Sequence, residues 1–238
     1  MARVLYELQG RADRRLSPYC WRTRMALRHK ELEAEFIPVQ FGQKDRIAFS
    51  GQELVPVLQD EGGRVIHDSW AIADHLESTY PERPSLFGGE AGRAGARFFN
   101  GWVDRALHPA MIRLILRDIH DGAIAEVDRP YFRASREARF GMALEDYCDP
   151  SAGRIKAFRG LLEPVRLALE EAPYLGGAAP LYADHILFGT CKFVELCSPL
   201  VIFAEDDPIY EWYGRMLALF DGYGASDGAA GGPAGEPE

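Results

Sequence analysis

Two hydrophobic rhythms divide the chain. Up to about residue 80, short apolar runs alternate with isolated helical patterns. "RVLYELQ" (3–9) predicts a short strand, and "SPYCWRTRMALRHK" (17–30) predicts a helix with serine as cap and Pro18 at its first position. "AEFIPVQF" (34–41) resumes an extended run, and its Pro38, which cannot donate to a ladder, assigns it to a sheet edge. The order β-α-β favours a right-handed crossover between parallel strands. "LVPVLQD" and "RVIHD", joined by "EGG", then predict an antiparallel hairpin. The helix "SWAIADHLESTY" follows and stops at Pro81.

After "PERPSLFGG" the period changes to that of long helices: "GARFFNGWVDRALHPAMIRLILRDIH", "RASREARFGMALEDYC", "RIKAFRGLLEPVRLALEEA", "ADHILFGTCKFVELC" and "PIYEWYGRMLALF". The expected organisation is an α/β domain over residues 1–85, an all-helical domain over 92–222, and a tail over 223–238. The tail, "YGASDGAAGGPAGEPE", has too little apolar content to offset its ordering entropy and is expected to be disordered. No internal repeat is visible.

Composition narrows the function classes. The 238 residues are 47% hydrophobic and 26% charged, enough for a packed core, and the formal net charge of -9 argues against nucleic acid or anionic membranes as partners. No uncharged run approaches the roughly 18 residues needed to span a bilayer, and no early cleavable apolar segment is seen, so a soluble cytoplasmic protein is expected. Cys20, Cys148, Cys191 and Cys197 fit neither a disulfide framework nor paired metal-ligand spacing. Cys191 and Cys197 lie in a helical apolar stretch that suits core packing. No metal site is expected.

The candidate chemistry begins at "SPYC" (17–20), which looks like the four-residue active-site turn of a thiol oxidoreductase with serine in place of the first cysteine. With "VP" opening the hairpin, "DS" starting the next helix and "YLGGAAPLYADHIL" (174–187) in the helical half, residues 1 to about 222 resemble the soluble glutathione transferases. "SPYCWRTRMALRHK" and "HDSWAIADHLESTYPERPSLF" look most like the serine-type branch that contains bacterial glutathione-dependent β-etherases and fungal-type relatives. The resemblance implies an α/β thioredoxin-like N-terminal domain followed by an all-α C-terminal domain, glutathione as co-substrate, and a homodimer.

It also implies roles residue by residue. A free thiol with pKa near 8.5 is mostly protonated at neutral pH, and lowering that pKa by about two units takes roughly 2.7 kcal/mol. A helix start supplies about 0.3 to 1 kcal/mol and a hydrogen bond to a charged group about 1.5 to 3. Ser17 offers both and is the catalytic candidate. Two roles stay open for Cys20: a reactive thiol aided by the same helix start, which would make the protein a glutathione-dependent disulfide reductase or peroxidase, or a small buried residue on the stripe with Thr23 and Leu27. A non-catalytic binding protein on the same fold is the third class.

Val55-Pro56 is expected to be a cis peptide whose Val55 main chain pairs with the cysteinyl part of glutathione. Asp68 and Ser69, opening a helix, are expected at the γ-glutamyl end, and Gln43 and Lys44 at the glycyl carboxylate. Tyr19, Trp102, His108 and Arg113 are the candidates for the electrophile's site between the domains. Arg11, Arg14 and Arg15 could attract an anionic substrate such as an aromatic carboxylate, but read first as a solvated charge run. One departure from the family pattern is Leu181, where Ser or Thr usually stands three residues before the aspartate of "AD". It leaves Asp184 to accept backbone hydrogen bonds without a hydroxyl cap. The expected reaction is attack of the glutathione thiolate on an electrophilic carbon, with aryl ethers as the substrate if the branch holds.

Overall fold

A computed structural model describes residues 2–228. Its first part is a four-stranded sheet with order β2-β1-β3-β4, built from β1 (Val4–Leu8), β2 (Glu35–Val39), β3 (Val57–Gln59) and β4 (Val65–His67). β1 and β2 run parallel, with Val4 opposite Glu35 and Glu7 opposite Pro38. β3 pairs antiparallel with β1 and with β4. The edge position expected for β2 is found, and there Pro38 costs no ladder bond. β3 begins at Val57, three residues later than its apolar run, and the Val55-Pro56 peptide just before it is cis.

Helix α1 (Pro18–His29) crosses between β1 and β2, and α2 (Ser69–Thr79) follows β4. The expected long helix starts earlier, as α3 (Glu90–Trp102), and passes through a π-helical turn (Val103–Leu107) into α4 (His108–Asp118). Pro109 supplies the reason for the wide turn, since it offers no N–H to the turn before it. A second π turn, Ile119–Ala123, ends this arm. "RASREARFGMALEDYC" is also interrupted: α5 (Arg129–Phe140) ends at Gly141, in the left-handed region at φ 71, before the short α6 (Leu144–Tyr147). Pro164 separates α7 (Ala152–Leu161) from α8 (Glu163–Glu171). α9 (Tyr182–Cys197) and α10 (Pro208–Gly222) complete the helical part. No helix among the described residues is long and apolar enough to cross a membrane.

α9 is the buried axle of the molecule, and every residue in it except Ala183 and Glu195 is buried. Its N-terminus is held by Asp184, whose carboxylate accepts from the main-chain N–H groups of Leu175 (2.8 Å), Gly176 (2.9 Å) and Leu181 (2.9 Å) and from Trp212 Nε1 (2.8 Å). The missing hydroxyl at Leu181 is therefore made up by the aspartate itself. α1 lies directly on α9. A Cβ at Gly189 would fall 2.3 Å from the carbonyl oxygen of Pro18, so only glycine permits this approach.

Two expectations are corrected here. The run Arg11, Arg14, Arg15 is not a solvated patch as a whole. Only Arg11 is exposed; Arg14 donates to the Leu196 carbonyl (2.9 Å), and Arg15 is fully buried against Glu7 (2.9 Å). The disorder expected from residue 223 is not found over 223–228. Tyr223–Ala225 form a 3-10 turn, the Tyr223 hydroxyl accepts from Arg24 (2.8 Å), and the Asp227 and Gly228 carbonyls accept from Arg15 N (3.0 Å) and Arg24 (2.6 Å). Hydrogen bonds to Arg15 and Arg24, which hydrophobicity does not register, hold this segment. Residues 229–238 lie outside the described residues.

Two buried histidines, His108 and His185, and the half-buried His29 lie in or beside this axle. His29 Nδ1 and His185 Nε2 are 3.0 Å apart, and His185 Nδ1 has no partner among the described residues. Burial, with His29 beside it, holds His185 well below the ordinary histidine pKa; burial lowers His29 as well, and burial plus the nearby Arg22 takes His108 down to about 3. Folded pKa values depressed below the unfolded one mean that the unfolded chain binds more protons below about pH 6.5. The stability these groups contribute is thus fully present above that pH and is lost as pH falls from it. The expected slope is about 1.4 kcal/mol per pH unit for each histidine still neutral in the fold. Urea unfolding should show a clearly lower midpoint at pH 5 than at pH 7; equal midpoints would contradict these buried neutral states.

Candidate active site

Where the sheet meets the helical part, a cavity of about 340 Å³ opens between the start of α1, the loop after β2, the chain before β3, and helices α4 and α5. Ser17 lies in its wall as the N-cap of α1, only 5% exposed, with its Oγ accepting from Cys20 N at 3.3 Å. That bond uses an oxygen lone pair and leaves the hydroxyl proton to be donated. The Cys20 sulfur is a second neighbour of the hydroxyl, but a neutral thiol is a weak acceptor and a thiolate in the cavity would outcompete it.

Cys20 itself is 0% exposed, and burial, with the Glu7 carboxylate nearby, pushes its thiol up to about 12. Burial likewise raises Cys191 and Cys197. Of the two roles open for Cys20, the geometry fits the buried one.

Tyr19 follows Ser17 on the cavity wall, and its hydroxyl is spoken for. Thr190 Oγ1 donates to the Ile186 carbonyl (3.2 Å) and therefore accepts from His108 Nε2 (2.9 Å); His108 Nδ1, left with its lone pair, accepts from Tyr19 Oη (3.2 Å). The Tyr19 proton thus points inward, away from the cavity. Burial and then Asp104 raise its pKa, and the Arg22 guanidinium lies 4.7 Å from its ring centre. Tyr19 and His108 both line the cavity, as expected.

Val55 lines the cavity too, and no hydrogen bond of the described residues uses its main chain. Asp68 caps α2 by accepting from Trp70 N (2.9 Å) and Ala71 N (3.1 Å), and it does so in the left-handed region at φ 72. A non-glycine residue held there costs on the order of 1 to 3 kcal/mol, a cost found where the surroundings over-determine a functional conformation. Ser69 is buried, and its carbonyl accepts from the Tyr182 hydroxyl of α9 (2.7 Å). Asp68 and Ser69 lie outside the apolar cavity, but Asp68 is near enough to Tyr19 to raise its pKa.

The remaining candidates divide. Lys44 lines the cavity, paired with Glu53 (2.5 Å) and 5.2 Å from the Tyr131 ring centre, whereas Gln43 turns back to accept from Gln40 N (3.3 Å) and does not line it. Trp102 packs on Phe99, and Arg113 lies behind the cavity, 5.1 Å from the Tyr147 ring centre; neither reaches the lining. On the first long arm the residues that line the cavity include Asp104, His108, Met111 and Ile112, continued by Leu116 and Ile119. Sequence reasoning missed the aromatic and basic stripe of α5, Phe132, Arg136, Arg139 and Phe140, which faces Phe41 of the β2 loop. Its spacing of four, three and one residues was the available signal.

Comparison with known proteins finds relatives of both halves of the chain. The glutathione S-transferase N-terminal domain family matches residues 12–84 and the glutathione S-transferase C-terminal domain family residues 94–200. Among curated proteins, a probable glutathione S-transferase of Oryza sativa subsp. japonica is 30% identical over 107 residues (42% of this chain, 45% of the relative). The maleylpyruvate isomerase of Ralstonia sp is 36% identical over 101 residues (40% of this chain, 47% of the relative). The chain thus spans about half the length of the curated relatives it matches. Among solved structures, a glutathione S-transferase of Ceriporiopsis subvermispora in complex with glutathione superposes with TM-score 0.75 at 23% identity, covering 95% of each chain. Glutathione transferase GSTFuA3 from Phanerochaete chrysosporium gives 0.73 at 24% identity, covering 93% of this chain and 92% of its own. With both halves matched in order and the fold shared over nearly the whole length, the chain belongs to the glutathione S-transferase family.

Proposed function

We propose that the protein is a glutathione transferase whose Ser17 hydroxyl, assisted by the start of α1, holds the glutathione sulfur as a thiolate for attack on an electrophilic carbon. The observation that carries this reading is the pairing at the α1 N-terminus: an N-cap hydroxyl with a proton to donate faces the cavity, while the neighbouring thiol is buried behind it. Tyr19, whose proton is committed to His108, is left out of thiolate stabilisation. The unused main chain of Val55 suits pairing with the cysteinyl segment of the tripeptide, and the α2 N-terminus at Asp68 and Ser69 suits its γ-glutamyl carboxylate. The apolar wall of Leu8, Ile47, Met111, Phe132 and Phe140 favours a flat aromatic electrophile.

For an aryl ether, the branch reading, the thiolate forms a C–S bond as the C–O bond breaks, and the electron pair leaves with the aryl oxygen to give a phenol. The reading includes a homodimer, to which exposed Phe49 (50%) and Phe98 (78%) offer apolar surface, and a cytoplasmic setting.

Purified protein incubated with glutathione and a panel of electrophiles including a β-aryl ether should yield glutathione thioethers by mass measurement; absence of every conjugate would reject the reading. Ser17→Ala should lower kcat/KM at neutral pH by about tenfold to a hundredfold, the loss of one hydrogen bond to a charged sulfur, and the deficit should shrink as pH rises toward the ordinary thiol pKa. Cys20→Ser should retain conjugation. In the native protein Cys20, Cys191 and Cys197 should resist iodoacetamide, with the partly exposed Cys148 labelled first. Rapid labelling of Cys20, read by peptide mass, would restore the reductase alternative.

A further inference from the structure

The charges around the cavity do not cancel. Lys44 is neutralised by Glu53 (2.5 Å), and Asp104 by Arg22 (2.9 Å). Arg136 and Arg139, on the inward face of α5, have no acidic partner within ion-pair distance among the described residues. Arg136 donates only to Ser135 Oγ (3.0 Å), and its guanidinium lies 4.6 Å from the Phe132 ring centre and 5.9 Å from that of Phe41. Arg139 lies 5.5 Å from the Phe140 ring centre, exposed. In a chain of net charge -9, the uncompensated charge facing this cavity is thus positive.

We propose that the second substrate carries a carboxylate on a flat apolar body, with the carboxylate received by Arg136 and Arg139 and the body by the aromatic wall. This deepens the transferase reading and rests on it for the identity of the cavity. Residues three apart on a helix share a face, so the two guanidiniums can take one anion between them, and each offers the planar donor fork that matches a carboxylate. Burial, and then Arg139, lower the proton affinity of Arg136, a like-charge cost that a bound anion relieves. Exposed Arg139 meets the anion first, and half-buried Arg136 holds it beside Phe41 and Phe132. The glycyl carboxylate of glutathione is the competing anion, and the test separates the two.

Naphthalene-2-carboxylate and naphthalene-2-carboxamide, equal in shape and differing in charge, are titrated calorimetrically into the full chain, with and without glutathione. The carboxylate should bind at least about tenfold more tightly. The Arg136→Gln/Arg139→Gln double variant should lose that preference while its glutathione affinity stays within about twofold, and Arg136→Lys should restore part of it. Should the double variant melt early, the exposed Arg139→Gln alone should still cut the preference severalfold. Equal affinity for the two probes, binding of neither, or loss of glutathione affinity in the double variant overturns the proposal. A wild type that prefers the carboxylate but fails to bind glutathione would sink the transferase reading and leave this assignment standing.

Discussion

The site depends on how closely α1 can approach α9. With no side chain at Gly189, the first turn of α1 settles onto the middle of α9, its Pro18 carbonyl filling the space a Cβ would take. Two turns earlier the Tyr182 hydroxyl of the same helix holds the Ser69 carbonyl at the start of α2. Seven residues of helix span about 10.5 Å, the scale of an extended tripeptide. α9 thus touches the starts of both α1 and α2, which in the proposed reading turn their positive dipole ends toward one short anionic peptide. The Asp184 carboxylate, buried and ringed by donors from the preceding loop and Trp212, fixes where α9 begins, and burial raises its pKa despite those bonds.

Charge is divided between two tasks. Glu7, fully buried on β1, accepts from Arg15 and from Arg24 (2.6 Å to Oε2), and Arg24 also reaches the Gly228 carbonyl and the Tyr223 hydroxyl. This cluster joins the strand, the loop that delivers Ser17, the body of α1 and the Tyr223–Ala225 turn. Together with the Arg22–Asp104 pair (2.9 Å), it is why a helix carrying Arg22 and Arg24 can be buried on nearly all sides. Removing Glu7 would leave the buried Arg24 without its acidic partner, whereas Arg15 would keep Asp13 (2.5 Å), a loss of about 3 to 5 kcal/mol by the usual cost of breaking such a pair. Arg136 and Arg139 of α5 have no such partner among the described residues and stand at the cavity instead.

Much of this was legible in the chain. Pro38 marked the edge strand, Pro18 and Ser17 the start of α1, and the separated "SPYC", "VP", "DS" and "YAD" segments the order of both halves. Local chemistry sufficed because each feature is decided by a missing N–H or a cap. What sequence did not show is decided by neighbours distant in the chain. Arg15 looks solvated until Glu7 is opposite it; residues 223–228 look disordered until Arg15 and Arg24 bind their carbonyls. Trp102 and Arg113 sit on the right helix, but the π turn at Val103–Leu107 and the face of α4 turn other residues inward. The α5 stripe carried its signal in Phe132, Arg136 and Phe140, and only packing on Phe41 made it part of a site.

The central claim concerns one proton. Titration of the thiolate absorbance of glutathione bound to the wild type and to Ser17→Ala measures it directly. The account predicts a bound-thiol pKa about two units below that of free glutathione in the wild type, with most of that depression lost in the variant and a residue of under one unit left to the helix start. Equal bound pKa values in the two proteins would contradict it.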